Sequence, residues 1–362
     1  MSCFALYRLP HADTCTLVEQ QAGQPTAFHA YEELDGQQGF VIAPFQVSKQ
    51  TPILLIRPDH TEQLPVECPA SNEPPKVIAA DSRRDSYAAH FADFHSHLQA
   101  DRFKKLVLAR HATITTECAT HPIQLFWQAC QRYPRLFISL VSMPDGSSWL
   151  TATPEILLEG AGASWRTIAL AGTMQLEGDD LKGEGETARW STKNIQEQRY
   201  VATYIANCLK QFSIDYKEEG PRTVRAANLV HLRSDFTFTL PGSMPLGRLL
   251  TALHPTPAVC GLPKDDAYRF ITTHEQADRA YYSGFMGPIN LADTHLYVSL
   301  RCMHINGCEH TLYAGGGLLK DSIEEQEWAE TEAKMQTMRN LFLEGVKEVL
   351  ASQATRGRAR RS

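Results

Sequence analysis

The 362-residue chain lacks several features that mark large classes of protein. It has no run of about 18 apolar residues, so we expect no transmembrane helix, and Arg8 and His11 come too early for the apolar part of a secretion signal. The net charge is −6 and the pI about 6.2, so nothing indicates a nucleic-acid partner. The nine cysteines are scattered without a CxxC pair, which disfavours disulfides or a zinc site and favours a cytoplasmic protein with reduced thiols.

The composition that remains is that of an ordinary globular protein, with 43% hydrophobic and 21% charged residues. Residues 1–80 contain many Pro and Gln residues and short apolar runs, so we expect an N-terminal strand-rich segment that completes a sheet. A Pro-rich connector, Pro69–Lys76, marks an internal boundary. Residues 81–350 would form the main domain, and residues 351–362 are a basic tail that we expect to be frayed.

Hydrophobic spacing along the chain predicts an α+β protein. Helical spacing occurs at 86–98, 123–133 and 246–254, from Ser191 to about Phe212 with Thr192 as a possible cap, and from 324 to about 350. Between these helices we expect strands, among them 105–114, separate strands at 227–232 and 235–240, and one strand through 295–305. Most strands follow one another through short connections, so we expect large antiparallel sheets packed face to face and flanked by helices.

The segment from Gly315 to Lys334 says most about function. It begins with Gly315–Gly317, predicted as a flexible loop, and continues into a helix crowded with glutamates. Glu327, Glu330 and Lys334 would share one face of that helix, since they are three and four residues apart. Two carboxylates and an ammonium on one face could hold a divalent cation together with an anionic ligand. The alternative is a solvated helix with i,i+4 ion pairs.

Three more charged side chains could act in catalysis. Lys105 starts a strand, where a lysine usually snorkels to the surface. Glu155 leads into the apolar run Ile156–Leu158, so it is either a turn group or a half-buried carboxyl with a raised pKa that can donate a proton. Glu197 lies on the long helix, where an acid is usually solvated.

Other residues could bind an anion. Arg301 lies inside the apolar strand predicted at 295–305, where a charge needs a partner or a substrate anion. Gly172 and Gly315 are predicted to end strands, where backbone N–H groups can face an anion. Each of these signals is weak alone, and their joint occurrence is what indicates a site.

Nine motifs occur together in one order, namely KLVLAR, TPEILLE, LAGT, KNIQEQ, NLVHL, HPTPAVCGLP, YYSGFMGP, VSLRC and AGGGLL…EWAETEAK. With these motifs the chain resembles the chorismate-utilising enzymes. This family includes isochorismate synthase, salicylate synthase and the large subunits of anthranilate and aminodeoxychorismate synthases. The resemblance covers about Ser86–Leu350 and implies a fold of two antiparallel sheets flanked by helices, with the active site between them.

The resemblance implies a role for each candidate. Lys105 would be the general base that takes a proton from water, and Glu155 the general acid that protonates the leaving C4 hydroxyl of chorismate. Mg²⁺ would be bound by Glu197 and Glu330, with Glu327 helping directly or through water. The substrate-binding positions implied are the side chains of Arg301 and Lys334, backbone groups at Gly172, Thr173 and Gly315, and His231 close to the substrate.

The segment HPTPAVCGLP, His254–Pro263, discriminates among family members. Ammonia-using members typically carry a PxGTxSGAPK-like sequence here, and salicylate synthases lack HPTPA. The HPTPA form resembles the isochorismate synthases of menaquinone and siderophore pathways, and Lys105 agrees because water-using members need a base there. The resemblance therefore implies a monomeric, Mg²⁺-dependent isochorismate synthase. The alternatives are a salicylate synthase, an ammonia-using subunit, and an inactive chorismate-binding subunit.

The chain departs from the family pattern beside Glu197. The family often carries an additional acid near Asn194 and a histidine near Gln198, and both are amides here. The neighbouring Arg199 is also unusual. These changes predict an altered shell around Glu197, with weaker or more hydrated metal coordination, while Glu197 itself is retained.

Overall fold

The computed structural model describes residues 3–66, 75–176, 188–227, 229–241, 244–275 and 278–342. Most of the predicted Pro-rich connector, the part of the predicted last helix beyond residue 342 and the basic tail lie outside these residues. None of the helices in the described ranges has the length and hydropathy needed to cross a membrane.

The described residues form nineteen strands and six α-helices. The strands are β1 (Cys3–Arg8), β2 (Thr14–Gln20), β3 (Thr26–Phe28), β4 (Gly39–Ala43), β5 (Ile53–Ile56), β6 (His60–Pro65), β7 (Val77–Asp81), β8 (Lys105–Thr116), β9 (Phe137–Ser142), β10 (Ser148–Thr153), β11 (Ile156–Ala161), β12 (Ser164–Gln175), β13 (Tyr216–Ala226), β14 (Leu229–Thr239), β15 (Gly261–Leu262), β16 (Phe285–Ile289), β17 (Thr294–Val298), β18 (Cys302–Asn306) and β19 (Glu309–Leu318). The helices are α1 (Arg84–Gln99), α2 (Pro122–Arg132), α3 (Thr192–Gln211), α4 (Leu246–Leu253), α5 (Lys264–His274) and α6 (Glu324–Arg339).

The strands form two antiparallel sheets. The ten-stranded sheet has the order β15-β8-β19-β18-β10-β9-β1-β2-β6, with β7 also paired to β8, and the nine-stranded sheet has the order β13-β14-β12-β11-β17-β16-β4-β5-β3. The sheets pack face to face: Phe137 of β9 stacks on Tyr297 of β17 with ring centroids 4.2 Å apart, and Phe40 and Trp149 are buried in the same cluster. This confirms the predicted α+β class with large antiparallel sheets.

Helices cover the outer faces of the sheets. α3 packs on β12 and β14, α6 packs on β19 and β12, and α1 packs on β8. In α3 the buried residues Val201, Ile205 and Leu209 recur every four positions, so one face of the helix meets the core. Residues 3–66 supply strands to both sheets, while the domain boundary at residue 80 stays a prediction.

Two local predictions about the middle of the chain are wrong. Ser191, not Thr192, caps α3, because its Oγ accepts a hydrogen bond from the Asn194 N–H at 3.2 Å. The strands predicted at 227–232 and 235–240 are the single strand β14, which pairs with both β12 and β13. β13 itself was not predicted, because it is a largely exposed edge strand with few apolar residues.

The predicted glycine loop is also wrong, since Gly315–Gly317 lie inside β19 and pair with β8. Gly172 does not end a strand either: it lies at a bulge within β12 with φ of 73°. The strand predicted through 295–305 is two strands in different sheets, and Arg301 lies between them with φ of 47°. This turn takes the chain from one sheet to the other, which an uninterrupted strand could not do.

The last helix is shorter than predicted within the described residues. α6 ends at Arg339 with Asn340 as its C-cap. The predicted core-facing side chains Met335 and Met338 are buried, and Phe342 is buried just beyond the helix. The predicted continuation to Leu350 lies outside the described residues.

Candidate active site

A cavity lined by residues of both sheets has about 640 Å³ of atom-free space, including open solvent. Its walls come from β8 and β19 of one sheet, from β12 and β14 of the other, and from α3 and α6. Residues far apart in sequence meet here because the sheets face each other. Eight residues predicted from the sequence line this cavity, which is named the substrate cavity after that prediction: Glu155, Gly172, Thr173, Glu197, His231, Arg301, Gly315 and Lys334.

Lys105 lies beside this cavity, at the start of β8, and its side chain is 0% exposed. Its Nζ forms a buried ion pair with Oε1 of Glu197 on α3 at 2.8 Å. A Cβ atom at Gly317 would lie 2.1 Å from the same Oε1, so only glycine leaves room for the pair. The surface alternatives for Lys105 and Glu197 are therefore wrong, since both side chains are buried.

Glu155 precedes β11 and is 3% exposed. Burial raises the pKa of its carboxyl to about 8, although Lys105, Lys334 and Arg301 act in the opposite direction. The carboxyl is therefore mainly protonated at neutral pH. A protonated carboxyl agrees with the predicted proton donor, and it is buried more deeply than the half-buried group that the sequence indicated.

Arg301 and His231 form a buried pair near the start of β14, the strand that contains His231. The Arg301 Nη1 donates to the carbonyl of Ala226 at 3.1 Å, and its Nη2 contacts Nε2 of His231. Burial and the charges of Arg301 and Lys334 hold the pKa of His231 well below its usual range. The neutral ring therefore accepts from Arg301 through Nε2, and its Nδ1–H donates to the carbonyl of Gly172 at 3.0 Å.

Burial lowers the pKa of Arg301 to about 10, so its guanidinium remains charged at neutral pH. A half-buried cation comes from α6 as well. Lys334 Nζ is 2.7 Å from Glu330 Oε1 and donates to the carbonyl of Gly315 at 2.9 Å. The site thus presents two cations to one cavity, which suits an anionic ligand.

Glu327 is the most buried acid of α6, at 1% exposure. Burial and the neighbouring Glu330 raise the pKa of its carboxyl to about 7. Its Oε1 is ion-paired with Lys193 of α3, and its Oε2 has no hydrogen-bond partner within the described residues. The predicted shared face of α6 is present, and it is not a solvated surface.

A second cavity adjoins the first through Thr173. It has about 780 Å³ of atom-free space, including open solvent, and is lined by Lys193, Asn194, Glu327 and Glu330 among others. Glu327 and Glu330 of α6 line this second opening, whereas Lys334 of the same helix lines the substrate cavity. We refer to it below as the acidic cavity.

The sequence reasoning missed Lys193 and the aromatic wall. Lys193 is four residues before Glu197 on a helix, and that spacing is the signal that could have identified it. Tyr282 and Tyr313 stack at 5.5 Å with 16° between their planes and line the substrate cavity. Their position depends on sheet packing, so no local pattern indicates it.

A buried ion pair between Arg279 and Glu275 supports the part of the cavity wall that β8 contributes. Arg279 is bonded to Glu275 and donates to the carbonyls of Val107 and Val259 at 2.9 and 2.8 Å. Glu275 also accepts from the N–H of Ala109 at 2.8 Å. This pair fixes β8 against the HPTPAVCGLP segment, and both segments contribute residues to the substrate cavity.

The three unusual residues beside Glu197 have separate environments. Asn194 donates to the carbonyl of Thr173 at 3.4 Å and lines the acidic cavity. Gln198 is buried and donates to the carbonyl of Ala169 at 3.1 Å, under the sheet. Arg199 is mostly exposed and lies 3.5 Å from Glu218. Of the three, only Asn194 lines a cavity that the acids of α6 also line.

Comparison with known proteins identifies the family of this chain. Residues 47–343 match the model of the family described as chorismate binding enzyme. The chain is 29% identical over 242 residues to the isochorismate synthase EntC of Escherichia coli K12, covering 66% of this chain but 62% of that protein. It is 23% identical over 346 residues to the vibriobactin-specific isochorismate synthase of Vibrio cholerae, covering 93% and 87%.

Comparison with solved structures identifies the same fold. The menaquinone-specific isochorismate synthase MenF of E. coli superposes with a TM-score of 0.79 at 22% identity, covering 94% of this chain and 88% of that one. The aligned region spans less than two thirds of the length of the E. coli EntC protein. The family model matches residues 47–343, which are most of this chain, so the chain belongs to the chorismate-binding enzyme family.

Proposed function

We propose that this protein is an isochorismate synthase, which moves the hydroxyl of chorismate from C4 to C2. The observation that supports this proposal is that Glu155 lines one cavity together with the cations Arg301 and Lys334, with Lys105 buried beside that cavity. A dianionic substrate requires the cations, and water addition with loss of hydroxide requires an acid and a base on separate elements. Relatives named isochorismate synthases support the same choice.

Glu155 is proposed as the general acid. Its pKa of about 8 keeps the proton on the carboxyl at neutral pH, ready for transfer to the C4 hydroxyl as the C–O bond breaks. The departing group leaves as water. Glu155 is then an anion in a buried site, stabilised by Lys105, Lys334 and Arg301.

Lys105 is proposed as the general base. It takes a proton from the water whose oxygen bonds to C2, so that one proton enters Lys105 while one leaves Glu155. Lys105 lies 2.8 Å from Glu197, which is also proposed to hold the metal, so the proposed base and a proposed metal ligand contact each other. Return of the proton from Lys105 to Glu155 through solvent completes the cycle, and the reverse reaction uses the same groups.

The substrate carboxylates are proposed to bind Arg301 and Lys334. Arg301 is oriented by Ala226 and by His231, which in turn is fixed by the carbonyl of Gly172. Backbone groups at Gly172, Thr173 and Gly315 would complete this binding. The stacked rings of Tyr282 and Tyr313 supply an apolar wall for the substrate ring.

Mg²⁺ is the proposed cofactor, and the residues present fit it in chemistry. Carboxylate oxygens are its preferred ligands, and the buried Oε2 of Glu327 lacks a partner within the described residues. Among those residues, no three acids or histidines are grouped tightly enough to hold a metal as they stand. Glu197, Glu327 and Glu330 would hold the ion after turning from their lysines, and the ion would polarise the ring carboxylate and its diene.

The pathway and setting remain part of the proposal. Relatives specific for vibriobactin and for menaquinone both match the chain, so either pathway would use the product. We propose a cytoplasmic monomer.

Oxygen labelling tests the proposed chemistry. Chorismate is incubated with the protein and Mg²⁺ in ¹⁸O water, and the product is analysed by mass spectrometry. Water addition predicts isochorismate with one ¹⁸O atom, at C2. Isochorismate without label would mean that the hydroxyl migrates within the substrate, which removes the need for Lys105 as a base for water.

A further inference from the structure

Lys193 lies among the three carboxylates to which the proposed function assigns the metal. It is in the first turn of α3, one turn before Glu197, so both side chains leave the same face of the helix. Its ammonium is ion-paired with Glu327 of α6. It also lines the acidic cavity together with Glu327 and Glu330. One ammonium therefore lies between the acids of two helices.

The charges of the cluster agree with this placement. The Lys193 side chain is 21% exposed, and its ammonium faces a Glu327 side chain that is only 2% exposed. The partner carboxyl of Glu327 is almost fully buried and has one oxygen without a hydrogen bond to any described residue. A buried carboxylate in that condition is costly, and a cation is what would satisfy it.

The other two carboxylates have lysines with different assignments. Glu197 is paired with Lys105, the proposed base, and Glu330 with Lys334, the proposed substrate ligand. Lys193 lines the acidic cavity, whereas the residues around the substrate cavity include Lys334. Lys193 is thus placed to contact the acids of the cluster rather than the substrate.

Resting on the proposed function, we propose that Lys193 is the resident cation of the metal site. Its ammonium neutralises Glu327 while the metal is absent, and a divalent cation must displace it from that carboxylate in order to bind. Lys193 therefore weakens metal binding and keeps the acidic cluster stable without metal. It is a residue that sets metal affinity, and it touches neither substrate nor reacting atoms.

Calorimetric titration of Mg²⁺ into metal-free protein tests this. Lys193→Met keeps the length of the side chain and removes the competing charge, so we expect Mg²⁺ to bind at least about tenfold more tightly than to wild type. Lys193→Arg keeps the charge and should stay within about threefold of wild type. Lys217→Met removes one exposed lysine charge on β13 and serves as the matched control, with unchanged affinity.

Thermal unfolding supplies a second readout. Without metal, Lys193→Met leaves Glu327 and Glu330 without this cation, so its Tm should fall below that of wild type. Saturating Mg²⁺ should raise its Tm by more than it raises the Tm of wild type, because tighter binding gives a larger shift. Lys193→Gln, which can still donate to Glu327, is the substitute if the Met variant does not fold.

The outcomes separate the two proposals. Unchanged or weaker Mg²⁺ binding by the uncharged variants overturns the role of Lys193, as does an equal gain in Lys193→Arg. Chorismate turnover by wild type is measured in parallel. Turnover without a gain in affinity leaves the proposed function standing and refutes the resident cation, whereas a gain in affinity without turnover supports the resident cation and refutes the synthase activity.

Discussion

Replacement of Glu155 by Gln should stabilise the protein while it abolishes turnover. Burial raises the pKa of this carboxyl from 4.5 to about 8. At pH 7 the unfolded chain would release the proton that the folded protein retains. Because pH 7 is roughly 2.5 units above the pKa of this carboxyl in the unfolded chain, keeping it protonated lowers the free energy of unfolding by about 3 kcal/mol. A neutral amide does not carry this cost.

The expected gain is smaller than the full figure, because the new amide brings N–H donors into a buried position. That burial takes back about 1–2 kcal/mol, so we expect Glu155→Gln to be more stable by about 1–2 kcal/mol at pH 7. The pH dependence is the sharper observable. Between pH 5 and 8 the unfolded state binds fewer protons at this site than the folded state does. As the pH rises, the free energy of unfolding of the wild type should therefore fall relative to that of the variant, by up to about 1.4 kcal/mol per pH unit.

Urea unfolding of both proteins at pH 5, 6, 7 and 8 measures this difference, with chorismate turnover recorded alongside. Glu309→Gln makes the same chemical change at an exposed carboxylate, and its stability should stay parallel to wild type. A stability difference between Glu155→Gln and wild type that does not change with pH would refute the raised pKa, and with it the reason for assigning Glu155 as the acid.

Three other substitutions have defined outcomes. Lys105→Ala should still bind chorismate and Mg²⁺ in calorimetry but lose turnover by about 10²-fold or more; near wild-type turnover would remove Lys105 as the base. Glu330→Gln should weaken Mg²⁺ binding measured with chorismate present and lose Mg²⁺-dependent activity, and unchanged metal affinity would exclude it as a ligand. Arg279→Met leaves the carboxylate of Glu275 buried and unpaired, so urea unfolding should show a loss of about 3–5 kcal/mol; a loss below about 1 kcal/mol would show that this pair does not fix β8.

The fold was largely predictable because its elements are long and strongly patterned. The apolar strand from Lys105 and the helix from Ser191 have periodicities that survive in the structure. Errors occurred where local pattern and tertiary context disagree. Gly315–Gly317 read as a loop, yet glycine is needed inside β19 because a Cβ at Gly317 would overlap Glu197. Arg301 read as a strand residue, although the chain changes sheets there.

The candidate site was predictable in part for a related reason. Family motifs identified the candidate site residues, and the fold brings eight of them to one cavity. The pairing of Glu327 with Lys193 joins two helices that are distant in sequence, and Tyr282 meets Tyr313 only through sheet packing. Such contacts are set by the tertiary structure, so a linear sequence does not display them.

The proposed synthase activity is tested most directly by a chromatographic product assay of purified protein with chorismate, with and without Mg²⁺, and with ammonium in parallel. We expect isochorismate, formed only with Mg²⁺ and approaching a mixture with chorismate. Salicylate plus pyruvate, an aminated product, or no turnover despite chorismate binding would each contradict it.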